Sequence, residues 1–234
     1  MTTHTHKIDI LTLFPELFAP FLSTSIIGRA IADEHVAINV RNIRDFAKNK
    51  HQKVDDYPYG GGAGLVLMVQ PIFDAINASI EEDQAGVQPE VIMLSPQGEP
   101  FSHAIADELA GKEHLIFLCG HYEGFDERVR EHLVTRELSL GDFVMTGGEI
   151  PSMAMIDATV RLMPGVIKAE SIADDSFASN MLEYPHYTRP QSFNGWDVPA
   201  VLTSGNHAEI ARWRTEMQQI RTATRRPDLL KKAE

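Results

Sequence analysis

The sequence predicts an α/β fold built around a largely parallel sheet. Three observations carry this reading. Short apolar runs alternate with segments of helical period. Several of these runs end in turns, at Ser95, Gly120 and Gly141. The chain has 234 residues, 43% hydrophobic and 23% charged, which suits one large domain or one domain with a smaller partner.

Taken in order, Ile8 to Phe14 reads as a strand. A helical stretch opened by Pro15 runs through Leu22, because proline's missing N–H costs nothing in a first turn. Ile26 to Asp33 predicts a second short helix and Val36 to Val40 a second strand. Asn42 begins a polar, basic loop that ends in Asp55 to Gly64. The run Leu65 to Val69 is strand-like, and Pro71 to Ile80 is helical. A polar connection, Glu81 to Pro89, leads to the buried strand Val91 to Leu94 and the turn Ser95-Pro96-Gln97-Gly98. Ser102 caps a helix that lasts to Ala110 and stops at Gly111. Leu115 to Cys119 is a continuous apolar run, the pattern of a buried central strand. A helix from Phe125 to about Leu133 precedes a second glycine turn within Leu138 to Glu149, and Pro151 to Met163 has apolar residues at helical spacing. Lys168 to Asn180 is polar and linker-like, and Pro185 to Pro190 is rigid and irregular. The last periodic element runs from Asn206 to Arg225, with Ile210, Trp213, Met217 and Ile220 on one face.

Composition excludes several function classes. A single cysteine, Cys119, rules out an internal disulfide and any multi-cysteine zinc site. No apolar run approaches the ~18 residues that span a membrane. The first residues lack the pattern of a signal peptide, so a soluble, cytoplasmic protein is expected. No metal-ligand spacing stands out among the ten histidines, and His4 and His6 read as tail residues. The formal net charge of -12 argues against a polyanionic partner. Its distribution leaves two basic stretches, Arg41 to Lys53 and Asn206 to Arg226. These suit local phosphate contacts or, equally, solvated surface.

Glycine just after a buried strand lets a ligand lie against bare backbone, and Tyr122 can wall one side of such a crevice. In parallel sheets ligands sit at the carboxyl ends of strands, where the turns at Ser95, Gly120 and Gly141 would meet. The cluster Gly60-Gly61-Gly62-Ala63-Gly64 is not a phosphate loop: it lacks a Gly-Lys-Ser/Thr ending and leads into an apolar run rather than a helix. It reads as a closing substrate loop or as a plain tight turn.

The chain resembles bacterial tRNA (guanine-37-N1)-methyltransferases of the SPOUT superfamily. The matching stretches are Leu13-Phe14-Pro15-Glu16, Tyr59-Gly60-Gly61-Gly62, Leu94 to Gly98, Cys119 to Gly124 and Gly141-Asp142. They continue through Gly147-Gly148-Glu149, Asp175-Ser176-Phe177, Pro185 to Pro190 and Ser204 to Ile210. They span nearly the whole chain in order. Ala63 stands where the family usually has proline, and Phe143 replaces a common tyrosine.

The resemblance implies a SPOUT-type sheet whose larger domain, residues 1–166, ends in a deep trefoil knot, although general topology rules disfavour knots. It further implies a flexible linker at 167–180 and a small, mostly helical tRNA-binding domain at 181–234. S-adenosyl-L-methionine is the implied methyl donor. Leu94, Ser95, Pro96, Gly120, Tyr122, Gly124, Leu140, Gly141, Asp142, Phe143, Val144, Met145, Gly147 and Gly148 would hold it. Asp175 would be the general base and Arg161 the cation that stabilises charge on the base. Taken alone, Asp175 would read as a solvated loop or cap residue, and Arg161 as a helix-dipole partner. Glu123 is either a contact to the target base or an exposed carboxylate. Magnesium would act without a dedicated motif, and a homodimer would complete the active site at its subunit interface. Ribose or ribosomal-RNA methylation and a non-catalytic RNA-binding protein are the competing readings.

Overall fold

A computed structural model describes residues 5–82 and 86–230. His4 and part of the expected polar connection, 83–85, lie outside them. The chain divides into two compact units, with the boundary between Ile167 and Lys168.

The first unit carries β1 (His6–Thr12), a 3-10 turn (Pro15–Leu17), α1 (Ala19–Leu22), α2 (Ser25–Ala32) and β2 (Val36–Asn42). After a 3-10 turn at Ile43–Phe46 come β3 (Asp55–Asp56), β4 (Val66–Leu67), α3 (Val69–Glu81) and β5 (Glu90–Pro100). Then follow α4 (His103–Ala110), β6 (His114–Leu118), α5 (Glu127–His132), β7 (Arg136–Ser139) and α6 (Glu149–Val160). Five strands make a wholly parallel sheet in the order β2-β1-β6-β5-β7. The expected parallel α/β sheet is therefore the architecture found.

Alternation along the strands sorts the core into two faces. Ile8, Ile10, Leu115 and Phe117 pack with Ile27 of α2, Leu109 of α4 and Ile156 of α6. Leu11, Ile116 and Leu118 pack on the other side with Ile72 and Ile76 of α3 and Val129 of α5. Every residue of β6 is buried, which explains the unbroken apolar run Leu115 to Leu118 that follows His114. Each such fully buried large side chain contributes about 1.5–3 kcal/mol relative to exposure.

The strand order sets where a ligand can bind. The connection from β5 runs to β6 on one side, and the next, from β6, runs back past β5 to β7, so consecutive connections run in opposite directions. That is a switch point, where the carboxyl ends of strands open a crevice. At this edge β5 bulges: Leu94 and Glu99 both register with Leu138, and the residues between them loop out. A Cβ on Gly98 would lie 2.5 Å from the Leu138 backbone nitrogen, so this excursion hugs β7.

Several elements differ from expectation. Leu65 to Val69 does not join the main sheet; Val66–Leu67 pairs antiparallel with Asp55–Asp56 in a separate ribbon. α3 starts at Val69, two residues before Pro71, because a helix's first turn needs no proline N–H. The helix expected after Pro15 is broken into a 3-10 turn and the single turn α1. His6 is not a tail residue: it opens β1, and its Nδ1 donates to the carbonyl of Lys112 at 2.9 Å.

In the second unit, α7 (Ala169–Ala173) occupies part of the stretch read as a flexible linker. The short ribbon β8 (Ser192–Phe193) and β9 (Trp196–Asp197), a 3-10 turn (Ala200–Thr203) and α8 (His207–Arg225) follow. Asn206 caps α8, its side chain accepting from the Glu209 N–H at 3.3 Å. Of the expected apolar face, Ile210, Trp213 and Met217 are half-buried. Ile220 is 50% exposed. Thr222 is buried instead; its hydroxyl accepts from Leu182 N–H at 2.9 Å and donates to the Gln218 carbonyl at 2.7 Å. No helix among the described residues is long and apolar enough to cross a membrane.

Candidate active site

A cavity of about 440 Å³ opens at the carboxyl ends of β5, β6 and β7. The turn after the first half of β5 contributes Leu94, Ser95 and Pro96. The turn after β6 contributes Gly120, Tyr122 and Gly124. The loop after β7 supplies Leu140, Gly141, Phe143, Val144 and Met145, then Gly147 and Gly148. The three turns singled out in sequence therefore line one hollow. Asp142 does not: it is exposed and absent from the lining.

The turn after β6 has unusual backbone. Tyr122 sits at φ +59° and Gly124 at φ +111°, the first a left-handed conformation that side chains rarely adopt. Hydrogen bonds from the neighbouring segment hold it there. Glu123 N–H donates to Leu65 O at 3.0 Å, Leu67 N–H to Gly124 O at 2.9 Å, and Asp126 N–H to Leu67 O at 2.9 Å. The glycine-rich loop thus leads straight into the strand that braces this turn, which neither of its sequence readings anticipated. Tyr122 is left 49% exposed on the cavity wall.

The loop after β7 returns across the end of β5 to meet β6. Its far end is fixed by the Gly148 N–H, which donates to Gly120 O at 2.9 Å. A Cβ on Gly148 would stand 2.7 Å from Cys119 Cα and 2.8 Å from Gly120 N, so only glycine permits this approach. Cys119 itself is fully buried, its thiol near Ser152 Oγ at 3.5 Å, and burial pushes that thiol well above its ordinary pKa. It is a packing residue rather than a nucleophile.

Sequence reasoning missed a polar cluster beside the cavity. Thr12 Oγ1 donates to Glu149 Oε1 at 2.7 Å, and His121 Nε2 lies 2.8 Å from Glu149 Oε2. His121, Glu127 and Arg130 also line the hollow. A glutamate directly after a glycine pair, at a helix start, was the one available signal for Glu149. Nothing in sequence couples it to Thr12, 137 residues away.

A family model described as tRNA (Guanine-1)-methyltransferase TrmD matches residues 6–232. The chain belongs to the tRNA (guanine-1)-methyltransferase family. Among similar curated proteins, the tRNA (guanine-N(1)-)-methyltransferase of Moorella thermoacetica is 56% identical over 225 residues, covering 96% of this chain and 90% of the relative. Those of Bacillus licheniformis and Listeria innocua are 56% and 53% identical, each with 96% of this chain and 92% of the relative covered.

Arg161, expected as the charge-stabilising cation, and Asp175, expected as the general base, fall in different units. Arg161 caps the carboxyl end of α6, its N–H donating to Asp157 O at 3.2 Å. Asp175 follows α7, half-buried, its N–H donating to Ile172 O at 3.2 Å; Phe177, two residues on, has φ +78°.

The basic stretches do not share one fate. In Arg41 to Lys53 three of the five cations are paired: Arg41 to Asp9 and Glu82, Lys48 to Asp74 at 2.8 Å, Lys53 to Asp56 at 3.1 Å. The Glu82 hydrogen bond holds Arg41 even more firmly protonated. In the second unit Arg189, Arg212, Arg221 and Arg225 have no ion pair among the described residues, and Arg214 lies over the Tyr184 ring at 4.6 Å.

Proposed function

We propose that the protein transfers a methyl group from S-adenosyl-L-methionine to N1 of guanine 37 in tRNA, with Asp175 as general base. Family membership makes the chain a tRNA methyltransferase. The observation that carries the finer reading is the single hollow made by the three strand-end turns.

The hollow fits a nucleoside-bearing donor. Its volume falls in the range of small-molecule sites. Gly120 and Gly148 expose main chain where a Cβ would collide with neighbours. Main-chain groups at Leu140, Phe143 and Met145 would hold the adenine, and the walls at Leu94, Ser95, Pro96 and Tyr122 would fix its orientation. When bound, S-adenosylmethionine supplies an electrophilic sulfonium methyl.

The chain's own residues supply the rest. Guanine N1 carries a proton and its lone pair is delocalised, so it is a weak nucleophile. The Asp175 carboxylate takes that proton as N1 attacks. Negative charge then builds on guanine O6, and the Arg161 guanidinium stabilises it. The target base must leave its stack to reach the hollow. Among the described residues no group of three or more His, Cys, Asp or Glu is placed to hold a metal ion.

Residues 181–234 are assigned the tRNA contacts. Nine of the 21 basic and nine of the 33 acidic residues lie in 168–234, so that segment is formally neutral and residues 1–167 carry the whole -12. The uncommitted arginines favour phosphate contact there. The same reading includes a trefoil knot formed by the loop after β7, a homodimer that completes the active site, and work in the cytoplasm.

The test is transfer of labelled methyl to tRNA transcripts with and without guanine at position 37. Transfer confined to the first supports the reading. Equal transfer to both, or none to either, overturns it.

A further inference from the structure

Glu149 is 3% exposed and stands at the first position of α6, beside the cavity rather than in its lining. A buried carboxylate is costly unless its oxygens are satisfied. Both are. Oε1 accepts from Thr12 Oγ1 at 2.7 Å, and Oε2 lies 2.8 Å from His121 Nε2. Thr12 ends β1, and its hydroxyl also accepts from Phe14 N–H at 2.9 Å. The His121 ring packs on Phe14, centroids 4.8 Å apart. A Cβ on Gly147 would collide with both His121 Nε2 and Glu149 Oε2, so the glycine before the pair leaves room for it.

One carboxylate thus joins three elements: the end of β1, the turn after β6 and the start of α6, where the loop after β7 finishes. That loop has little internal support. Between Gly141 and Gly148 the one backbone bond made within it, among the described residues, runs from Phe143 N–H to Gly141 O. Its geometry depends on how its ends are held.

We propose that Glu149 is a positioning residue for the methyl-donor site. By engaging Thr12 and His121 it locks the loop after β7 to the turn bearing Gly120 and Tyr122. The inference rests on the reading of the cavity as the donor site. Glu149 touches neither donor nor base; it acts through His121 and the loop end. Its loss therefore weakens donor binding while leaving tRNA engagement alone.

The experiment is calorimetric titration of the full-length protein with S-adenosylmethionine, paired with the KM for tRNA and a thermal melt. Glu149→Gln and His121→Ala are each expected to weaken donor binding about tenfold, the scale of one hydrogen bond to a charged group. Combining them should add nothing further, because both remove the same contact. His121→Gln, which restores an N–H donor, should recover most of the loss, and the KM for tRNA should not move. Wild-type affinity in Glu149→Gln, additive losses in the double variant, or a parallel rise in the KM for tRNA would overturn the inference. Should Glu149→Gln fail to fold, the partly exposed His121→Ala decides alone, unchanged donor affinity being the contrary result. A wild-type protein that does not bind S-adenosylmethionine at all overturns the donor-site reading itself, and the inference with it.

Discussion

The N–H of Gly148 donates to the carbonyl of Gly120 at 2.9 Å, tying the loop after β7 to the turn after β6. Gly148→Ala would place a methyl 2.7 Å from Cys119 Cα and 2.8 Å from Gly120 N. Neither backbone atom can retreat as a side chain would. The expected cost is about 1–3 kcal/mol, as for other overpacked interiors. Urea unfolding measures it, and titration with S-adenosylmethionine should show donor binding lost alongside.

Asp175→Asn keeps the shape of the side chain and removes its basicity. Methyl transfer is expected to fall by about 10²- to 10⁴-fold, with donor affinity unchanged. Arg161→Ala should cost about 10²- to 10³-fold, the scale of a lost charge-stabilising donor. Single-turnover rates with pre-bound donor and tRNA separate these losses from binding. A full-rate Asp175→Asn enzyme would remove the general-base assignment.

Asp9, fully buried in β1, gathers His114 at 2.8 Å, Lys7 at 3.3 Å, Asn39 at 3.1 Å and Arg41 at 3.3 Å. Burial alone would raise its carboxyl, but the His114 hydrogen bond and the nearby cations hold it below the ordinary carboxylate value. A depressed folded-state pKa stabilises the fold above the unfolded value, about 3.9. That stabilisation is lost as pH falls through the folded value. Urea midpoints should therefore drop below about pH 4. Asp9→Asn should flatten that acid limb and cost about 3 kcal/mol at neutral pH, since it strands buried partners.

Binding to tRNA should weaken steeply with added salt. Arg212→Ala or Arg221→Ala, whose guanidinium groups have no carboxylate partner among the described residues, should each lower the log–log salt slope by about 0.7–0.9 if the residue meets a phosphate. Lys48→Ala, already paired with Asp74 at 2.8 Å, should leave the slope alone. Filter binding across a salt series reads both.

Cys119 should resist thiol reagents in the folded protein and react once urea unfolds it, because the side chain is fully buried and its thiol is hard to ionise. Absorbance titration with an aromatic disulfide checks this. Rapid native labelling would contradict the packing described.

What could be read from sequence followed the reach of each interaction. Leu115 to Leu118 announced a central strand because burial on both faces leaves no polar residue to interrupt it. The turns at Ser95, Gly120 and Gly141 were legible because a parallel sheet puts successive strand ends on one edge. Leu65 to Val69 misled because a short apolar run fits either a sheet strand or a brace for another loop, and only its hydrogen bonds to Glu123, Gly124 and Asp126 decide. Arg41 looked available for phosphates since its partners, Asp9 and Glu82, lie 32 and 41 residues away. Thr12, His121 and Glu149 went unnoticed for the same reason. Local pattern carries strands and turns, while pairing between distant polar groups emerges only from the folded chain.

The uneven distribution of charge has a kinetic consequence. An incoming polyanion meets net repulsion from residues 1–167 and none from the formally neutral segment 168–234, which bears the uncommitted arginines. Raising ionic strength shortens the range of that repulsion to about 10 Å at 0.1 M, which eases arrival. It also loosens each guanidinium–phosphate contact, which hastens departure. The first effect falls on association and the second on dissociation. Salt should therefore shorten the lifetime of the complex without slowing its formation.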